Sequence, residues 1–261
     1  MEKQSSNIFD LNNKFTLITG ACGLLGKQHA IALSQINSNL ILIDVKKSKG
    51  LKLISELKKS FSNEIYYFNC DITKISEINI LKSKIEKKNI YIDVLINNAA
   101  INPQPNQISE FNNWDISLDV GLKGARNMVN SFIPHFIKKK SGNIINIGSD
   151  LSVIAPDQSI YLYKKNQKPL SYSVVKHGII GLTKYYASLL APNNIRCNCL
   201  SPGGVYNKQN SKFVKKLVSK IPMKRMANTD EYFGAIQFLA SNASNYMTGH
   251  NLVIDGGRSI I

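Results

Sequence analysis

The sequence predicts an α/β fold in which one parallel sheet of about seven strands carries helices on both faces. Short aliphatic runs alternate with longer segments of helical spacing, and no linker or internal repeat interrupts the series. The runs are apolar on both sides, so each strand needs helices above and below it. This pattern favours a doubly wound sheet over an α/β barrel of equal units, and it predicts one domain over residues 1–261.

Each predicted strand is rich in Ile, Val or Leu. The strands are Phe15–Thr19, Asn39–Asp44, Ile65–Asn69, Ile92–Asn97, Asn143–Gly148, Ile195–Leu200 and Asn251–Asp255. Helical spacing follows at 24–36, 48–60, 74–88, 111–138, 171–190, 211–219 and 229–240. Because ligands of doubly wound sheets bind at the carboxyl ends of the strands, functional residues are expected directly after these runs.

Composition excludes several classes of protein. With 43% hydrophobic and 19% charged residues in 261, the chain lacks the signature of disorder. No apolar run approaches the length of a membrane span, and the first residues lack the apolar segment of a signal peptide. We therefore expect a cytoplasmic protein with no membrane partner.

The net charge of +16 comes mainly from lysine, since only four of the 33 basic residues are arginine. Arginine is the preferred base-reading residue, and the lysines stand in short runs at predicted helix ends and loops. We interpret the charge as a basic surface that attracts an anionic substrate, with no nucleic-acid partner. The four cysteines form no C-x-x-C motif and have no histidine at zinc spacing, so reduced thiols and no metal are expected.

A glycine-rich turn joins the first strand to the first helix. In Thr19-Gly-Ala-Cys-Gly-Leu-Leu-Gly26, Gly20 can take the tight turn, Gly23 allows close approach of a pyrophosphate, and Gly26 permits close helix packing. Leu25 belongs to the same expected contact surface. Glycines at such a turn are also common as structural punctuation, so the loop alone leaves both readings open.

The second strand ends in Asp44, 18 residues after Gly26. An acid at this place accepts the ribose hydroxyls of adenosine and repels the 2′-phosphate of NADP, which favours a Rossmann fold that binds NAD. A solvated turn residue is the alternative. Lys46 and Lys47 follow closely enough to attract a 2′-phosphate, so NADP stays open.

Tyr172 and Lys176 stand four residues apart at the start of a predicted helix, which places them on one face. An ammonium near a phenol lowers the phenol pKa and suits it to exchange protons with an alcohol. The alternative is a helix with one packed aromatic and one solvated lysine.

Together these motifs resemble the short-chain dehydrogenase/reductase family, over the stretch from Lys14 to Gly257. The motifs occur in the same order as in the family. They are the glycine loop, Asn97-Asn-Ala-Ala100, Ser149, Tyr172/Lys176, Pro202-Gly203 and Thr248-Gly-His-Asn-Leu-Val-Ile-Asp-Gly-Gly257. The resemblance implies transfer of a hydride between a nicotinamide and a secondary alcohol or its ketone, without a metal.

The resemblance also implies residue roles. Ser149 would bond the substrate oxygen, Tyr172 would donate or accept its proton, and Lys176 would lower the pKa of Tyr172 and hold the nicotinamide ribose. The remaining contacts to the cofactor would come from Asp71 and Ile72 near the adenine, Asn97 and Ala99 on the adenosine ribose side, and Pro202, Gly203 and Val205 around the nicotinamide.

Three departures from the family pattern stand out. Leu24 occupies a usual glycine position of the loop, and Gly121 replaces the asparagine that helps a proton relay in the family. With that relay served by backbone and water instead, Gly121→Asn is expected to leave activity measurable. The third departure is a long spacing of 23 residues between Ser149 and Tyr172. Residues 155–169 form the extra segment, whose tyrosines and lysines suit a sugar-like or anionic substrate. A surface loop whose aromatic rings pack on the body of the protein is the alternative. The insertion resembles one in bacterial surface-sugar and flagellin-modification oxidoreductases.

The leading expectation is an NAD-preferring oxidoreductase of alcohols and ketones, with residues 205–225 as a lid over the substrate. One alternative is a 3-oxoacyl thioester reductase that uses NADPH and has an acidic carrier partner. Another is a non-catalytic NAD-sensing protein, which the change at Gly121 would favour. By analogy with the family, a homodimer or homotetramer is expected through helices 111–138 and 171–190.

Overall fold

The computed structural model describes residues 7–101, 110–163 and 167–261. Its strands are β1 (Phe15–Thr19), β2 (Asn39–Asp44), β3 (Ile65–Asn69), β4 (Ile92–Asn97), β5 (Gly142–Ile147), β6 (Ile195–Pro202) and β7 (Asn251–Ile254). The helices are α1 (Leu24–Ser34), α2 (Lys47–Ser60), α3 (Ile75–Glu86), α4 (Glu110–Leu118), α5 (Ala125–Lys139), α6 (Leu170–Leu190), α7 (Ser211–Val218) and α8 (Phe233–Ala240).

The seven strands form one parallel sheet in the order β3-β2-β1-β4-β5-β6-β7. The order reverses between β1 and β4, which creates a crevice at the carboxyl ends of these strands. The predicted doubly wound α/β fold is confirmed.

Both faces of the sheet are buried, as the apolar strands require. Leu17 and Ile18 are neighbours in β1 and both are fully buried, but they belong to separate apolar clusters. Leu17 packs in the cluster that holds Met128 from α5, and Ile18 packs in the cluster that holds Ile236 from α8. The helical layers on the two sides thereby fix the sheet that carries the site.

The helix predicted over 111–138 is divided in the structure. A π-helical turn over Asp119–Gly124 separates α4 from α5. Gly121 and Gly124 lie in this wide turn, where there is no room for a side chain. An added Cβ at Gly121 would overlap Val175, and one at Gly124 would lie 2.7 Å from Ile72 Cδ1. The last predicted helix also begins later, at Phe233 instead of residue 229.

A chain of buried polar side chains connects the sheet to α6. Asn97 Nδ2 donates to Asn146 Oδ1 at 2.8 Å, and Asn146 Nδ2 donates to Thr183 Oγ1 at 2.9 Å. Buried polar groups need such partners, so the chain favours one placement of α6 on the sheet. This helix carries both Tyr172 and Lys176.

Candidate active site

A cavity of about 800 Å³ opens at the carboxyl ends of the strands. It is lined by all but one of the residues that the sequence predicted as the site, namely Gly20, Gly23, Leu25, Gly26, Asp44, Asp71, Ile72, Ala99, Ser149, Tyr172, Lys176, Pro202, Gly203 and Val205. Asn97 stands apart from this lining, because its side chain is buried against Asn146 beneath the cavity. The fold therefore brings residues from distant parts of the chain to one surface.

The glycine turn is held in its shape from both sides. Gly20 has a φ of +62°, and an added Cβ would lie 2.7 Å from Ala99 Cα. The Asn98 amide donates to the carbonyls of Thr19 and Gly20, each at 3.0 Å. The first helix begins directly after Gly23. The first backbone amides of this helix therefore lie at the cavity wall, where they favour the binding of a negatively charged group.

Asp44 has a structural task that the sequence did not indicate. Its Oδ2 accepts the backbone N–H of Cys22 at 3.0 Å, and its Oδ1 accepts the N–H of Lys46 at 3.0 Å. Asp44 thus joins the glycine turn to the end of β2. Burial, together with the Asp44 carboxylate, raises the pKa of the Cys22 thiol to about 11. Cys22 is therefore protonated at neutral pH.

Ser149 follows β5 and begins a short helical turn. Its Oγ donates to Asp150 Oδ1 at 2.8 Å and accepts the N–H of Leu151 at 3.2 Å, while its backbone N–H donates to Ser152 Oγ at 3.0 Å. These bonds fix the hydroxyl at the cavity wall next to Tyr172. Burial raises the pKa of Tyr172, and a hydrogen bond with Ser149 opposes that rise. The net direction is opposite to the lowering by Lys176 that the resemblance implied, because the phenol is buried.

Lys176 is buried one helical turn after Tyr172. Its Nζ donates to the carbonyl of Ile147 at 2.8 Å and lies 5.6 Å from the centre of the Tyr172 ring. Burial lowers the pKa of Lys176 to about 8. The amine is therefore still charged at neutral pH, close to the phenol.

Three further groups line the cavity beside Ser149 and Tyr172. Asp150 and Arg258 form a buried ion pair with 2.6 Å between Oδ2 and Nη1. Lys168 Nζ lies 4.3 Å from the centre of the Tyr172 ring. Sequence reasoning missed the ion pair because 108 residues separate its members. The only available signal was an acid next to Ser149.

The segment 155–169 packs against the segment 205–225. The rings of Tyr161 and Phe213 lie 5.4 Å apart, Lys216 Nζ donates to the Ser159 carbonyl at 2.9 Å, and Lys220 pairs with Asp157 at 3.2 Å. Described residues of both segments, Tyr161 and Phe213 among them, line the cavity. Residues 164–166 of the extra segment lie outside the described residues.

Within the described ranges, no helix combines the length and apolar composition that a membrane crossing requires. The same ranges contain no group of three or more His, Cys, Asp or Glu residues placed to hold a metal ion.

The chain is similar to known oxidoreductases over nearly its whole length. A family profile described as enoyl-(acyl carrier protein) reductase matches residues 20–259. A 3-oxoacyl-(acyl-carrier-protein) reductase of Thermotoga maritima is 31% identical over 252 residues, 95% of this chain and 98% of that protein. The post-translational flagellin modification protein A of Campylobacter coli is 31% identical over 258 residues, again with 95% and 98% coverage.

Solved structures with bound cofactors share the fold. A short-chain dehydrogenase of Leptospira borgpetersenii with bound NAD⁺ is 32% identical, with a TM-score of 0.86 over 99% of this chain and 98% of that one. A gluconate 5-dehydrogenase of Burkholderia cenocepacia in complex with NADP and tartrate is 27% identical, with a TM-score of 0.86 over 97% and 98%. The chain belongs to the short-chain dehydrogenase/reductase family and is an NAD(P)-dependent oxidoreductase of alcohols and ketones.

Proposed function

We propose that the protein interconverts a secondary alcohol and its ketone on a small, sugar-like substrate and prefers NAD to NADP. The observation that carries this proposal is the single cavity shared by the glycine turn and the group Ser149, Tyr172 and Lys176. Residues 205–225 would act as the lid and 155–169 as the substrate-side wall of one domain. Their mutual packing over the cavity supports this assignment.

The residues present fit a nicotinamide dinucleotide. The turn at Gly20, Gly23, Leu25 and Gly26 offers the start of α1 to a pyrophosphate, and any side chain at Gly20 would meet Ala99. Asp44 would hold the ribose hydroxyls. The other contacts would come from Asp71, Ile72, Ala99, Pro202, Gly203 and Val205. Asn97 would support the site indirectly, through its hydrogen bond to Asn146. The bound nicotinamide supplies or accepts the hydride.

The protein's own groups handle the proton. Because burial raises the pKa of Tyr172, its phenol is protonated at neutral pH and suits the donation of a proton to a ketone oxygen. In the alcohol direction the charged Lys176 nearby stabilises the phenolate that accepts the proton. Ser149 would position the same oxygen by turning its hydroxyl from Asp150 towards the substrate and donating a hydrogen bond there.

A titration with NADH and NADPH, followed by nicotinamide fluorescence, tests this proposal. We expect tighter NADH binding, and we expect Asp44→Ala to reduce the preference on the order of tenfold by removing a charge-assisted hydrogen bond. Asp44→Asn is the matched variant, because it keeps an acceptor for the Cys22 amide but loses the charge. Preference for NADPH in the unmodified protein would contradict the NAD assignment, and binding of neither would contradict the whole proposal.

Reduction of a 3-oxoacyl thioester with NADPH is the second candidate. Similarity to the Thermotoga maritima reductase and the net charge of +16, which suits an acidic carrier protein, favour it. Turnover of a 3-oxoacyl thioester with NADPH as strong as with any sugar-like alcohol would place this reaction first. A protein that binds NAD(H) but turns over neither substrate class would instead be a sensor.

We also propose a cytoplasmic homodimer or homotetramer that associates through α5 and α6. A shallow apolar groove supports this association; it is lined by Leu122, Lys123, Arg126, Gly178, Gly181 and Leu182. Light scattering at micromolar concentration tests the assembly, and a monomer there would contradict it.

A further inference from the structure

The Ser149 hydroxyl is already hydrogen-bonded inside the protein. Its Oγ donates to Asp150 Oδ1 at 2.8 Å and accepts the N–H of Leu151 at 3.2 Å. Because a hydroxyl has one proton to donate, Ser149 can donate to a substrate oxygen only when it turns away from Asp150. The free energy needed for this turn adds to the barrier of the reaction.

Asp150 has other partners that remain when the hydroxyl turns. Its side chain is 5% exposed, and a buried carboxylate needs partners for its charge. Arg258 Nη1 lies 2.6 Å from Oδ2, and the Leu151 N–H donates to Oδ1 at 2.8 Å. Arg258, whose side chain is 8% exposed, therefore supplies the opposite charge at the moment when the hydroxyl of Ser149 leaves.

The turn that carries Arg258 is fixed against the cavity. Asp255 accepts the backbone N–H of Gly257 at 2.9 Å and that of Ser259 at 2.7 Å. Gly257 has a φ of +87°, which favours glycine at this place in the turn. An added Cβ at Gly203, which lines the cavity, would lie 2.6 Å from Asp255 Cα. The chain end thereby holds the guanidinium in one position.

Two lysines that line the same cavity make contacts of a different kind. The Nζ of Lys176 donates to a backbone carbonyl at 2.8 Å, and the Nζ of Lys168 lies 4.3 Å from the centre of the Tyr172 ring. The Gln158 side chain holds the Lys168 backbone, because it donates to the Lys168 carbonyl and accepts the Lys168 N–H, each at 2.9 Å. These contacts do not involve Arg258, so a substitution of Arg258 leaves them in place.

We propose that Asp150 and Arg258 are positioning residues for Ser149: the carboxylate holds the hydroxyl before the substrate binds, and the guanidinium allows its release to the substrate oxygen. The proposal rests on the alcohol–ketone oxidoreductase function proposed above and adds two residues that act through Ser149. Without Arg258, the uncompensated carboxylate would hold the hydroxyl more strongly, because a charged acceptor makes the stronger hydrogen bond.

Steady-state oxidation of sorbitol and of gluconate with NAD tests the proposal at a temperature where circular dichroism shows each variant to be folded. Arg258→Met should lower kcat by about ten- to a hundredfold with the KM for NAD little changed, a smaller loss than the removal of an oxyanion donor causes. Lys58→Met should match the unmodified protein. Lys58 is exposed on α2 and does not line the cavity, so its variant controls for the loss of one positive charge.

Two combined variants distinguish a positioning role from a purely structural one. Asp150→Asn together with Arg258→Met should recover part of kcat, because a neutral amide holds the hydroxyl less strongly than an uncompensated carboxylate does. In the Ser149→Ala background, Arg258→Met should lower kcat little further, because the pair acts through that hydroxyl. An unchanged kcat in Arg258→Met, or the same fold loss with and without the Ser149 hydroxyl, would overturn the proposal.

A measurement without turnover separates this inference from the oxidoreductase proposal. The chain contains four arginines, so nitrogen-15 labelling of arginine gives a side-chain spectrum that single variants can assign. Ser149→Ala should shift the Arg258 signal, because Asp150 then loses one hydrogen bond and binds the guanidinium more tightly. Ser152 lies in the same turn and accepts the backbone N–H of Ser149, so Ser152→Ala controls for proximity and should shift the signal less.

The two proposals can therefore fail separately. A shift of the Arg258 signal in Ser149→Ala that exceeds the shift in Ser152→Ala supports the positioning role even where neither polyol is oxidised, an outcome that counts against the proposed reaction alone. An Arg258 signal that is unchanged in Ser149→Ala would overturn the positioning role, and oxidation of a polyol by the unmodified protein would then leave the reaction standing.

Discussion

Removal of the Arg258 guanidinium should destabilise the protein more than the loss of a surface ion pair. Asp150 and Arg258 are 5% and 8% exposed at their side chains. Loss of one member of a buried pair leaves a charge without compensation, at a cost of about 3–5 kcal/mol. Asp150 would keep its hydrogen bonds from Ser149 and Leu151, each at 2.8 Å. We therefore expect Arg258→Met to lower the free energy of unfolding by about 3 kcal/mol, the lower end of that range.

Urea unfolding followed by circular dichroism measures this loss in a double-mutant cycle. The cycle consists of the unmodified protein, Arg258→Met, Asp150→Asn and the double variant. The double variant leaves no unpaired buried charge, so it should be more stable than Arg258→Met alone. Arg225→Met is the matched control, since Arg225 pairs with Glu231 at an exposed position where solvent screens the pair.

Additive losses in this cycle would refute the reasoning, because they would mean that the two side chains do not depend on each other. A loss for Arg258→Met no larger than that for Arg225→Met would do the same. The cycle also has a catalytic readout. Since Asp150 accepts the Ser149 hydroxyl hydrogen bond, Arg258→Met should lower kcat more than it raises KM.

Two other predictions concern buried positions. Burial lowers the pKa of His29 from 6.5 to about 4. As the pH falls from 6.5 towards 4, the unfolded chain therefore binds a proton at His29 that the folded chain does not, and the free energy of unfolding decreases. His29→Leu should therefore lose less stability than the unmodified protein between pH 7 and pH 5 in urea unfolding, and parallel losses would contradict the assignment. Gly121→Asn should lower the melting temperature and the activity, because its Cβ would overlap Val175, and Val175→Ala should restore part of both. Full stability of Gly121→Asn alone in thermal unfolding would show that the π-helical turn adapts.

The prediction for Gly121 differs from the one made from the sequence. The sequence treated position 121 as a missing amide in a proton relay, and so expected an asparagine there to leave activity measurable, with no steric cost considered. In the structure the space for that side chain is filled by Val175 from α6. A contact between two helices distant in sequence decides the outcome, and apolar spacing carries no information about it.

Local patterns were sufficient for the strands and for the order of the cavity residues. The strands are apolar on both faces, and this pattern can be read from the sequence. Leu17 and Ile18, neighbours in β1, are an example, because each packs in the apolar cluster on a different face of the sheet. The ion pair of Asp150 with Arg258 and the placement of Lys168 over Tyr172 could not be predicted, because both depend on how loops fold back on the sheet. The two hydrogen bonds of Asp44 to backbone amides belong to the same class.

The Gln158 side chain is hydrogen-bonded to both the carbonyl and the N–H of Lys168, which separates the length of the loop between these residues from the position of Lys168. Two hydrogen bonds from one side chain fix the Lys168 backbone, whatever number of residues runs between positions 158 and 168. Insertions, deletions or grafted sequences within that interval need not displace Lys168, provided that both hydrogen bonds form. A protein built this way can vary one short stretch of chain beside its cavity while Lys168, which lines that cavity, stays in place.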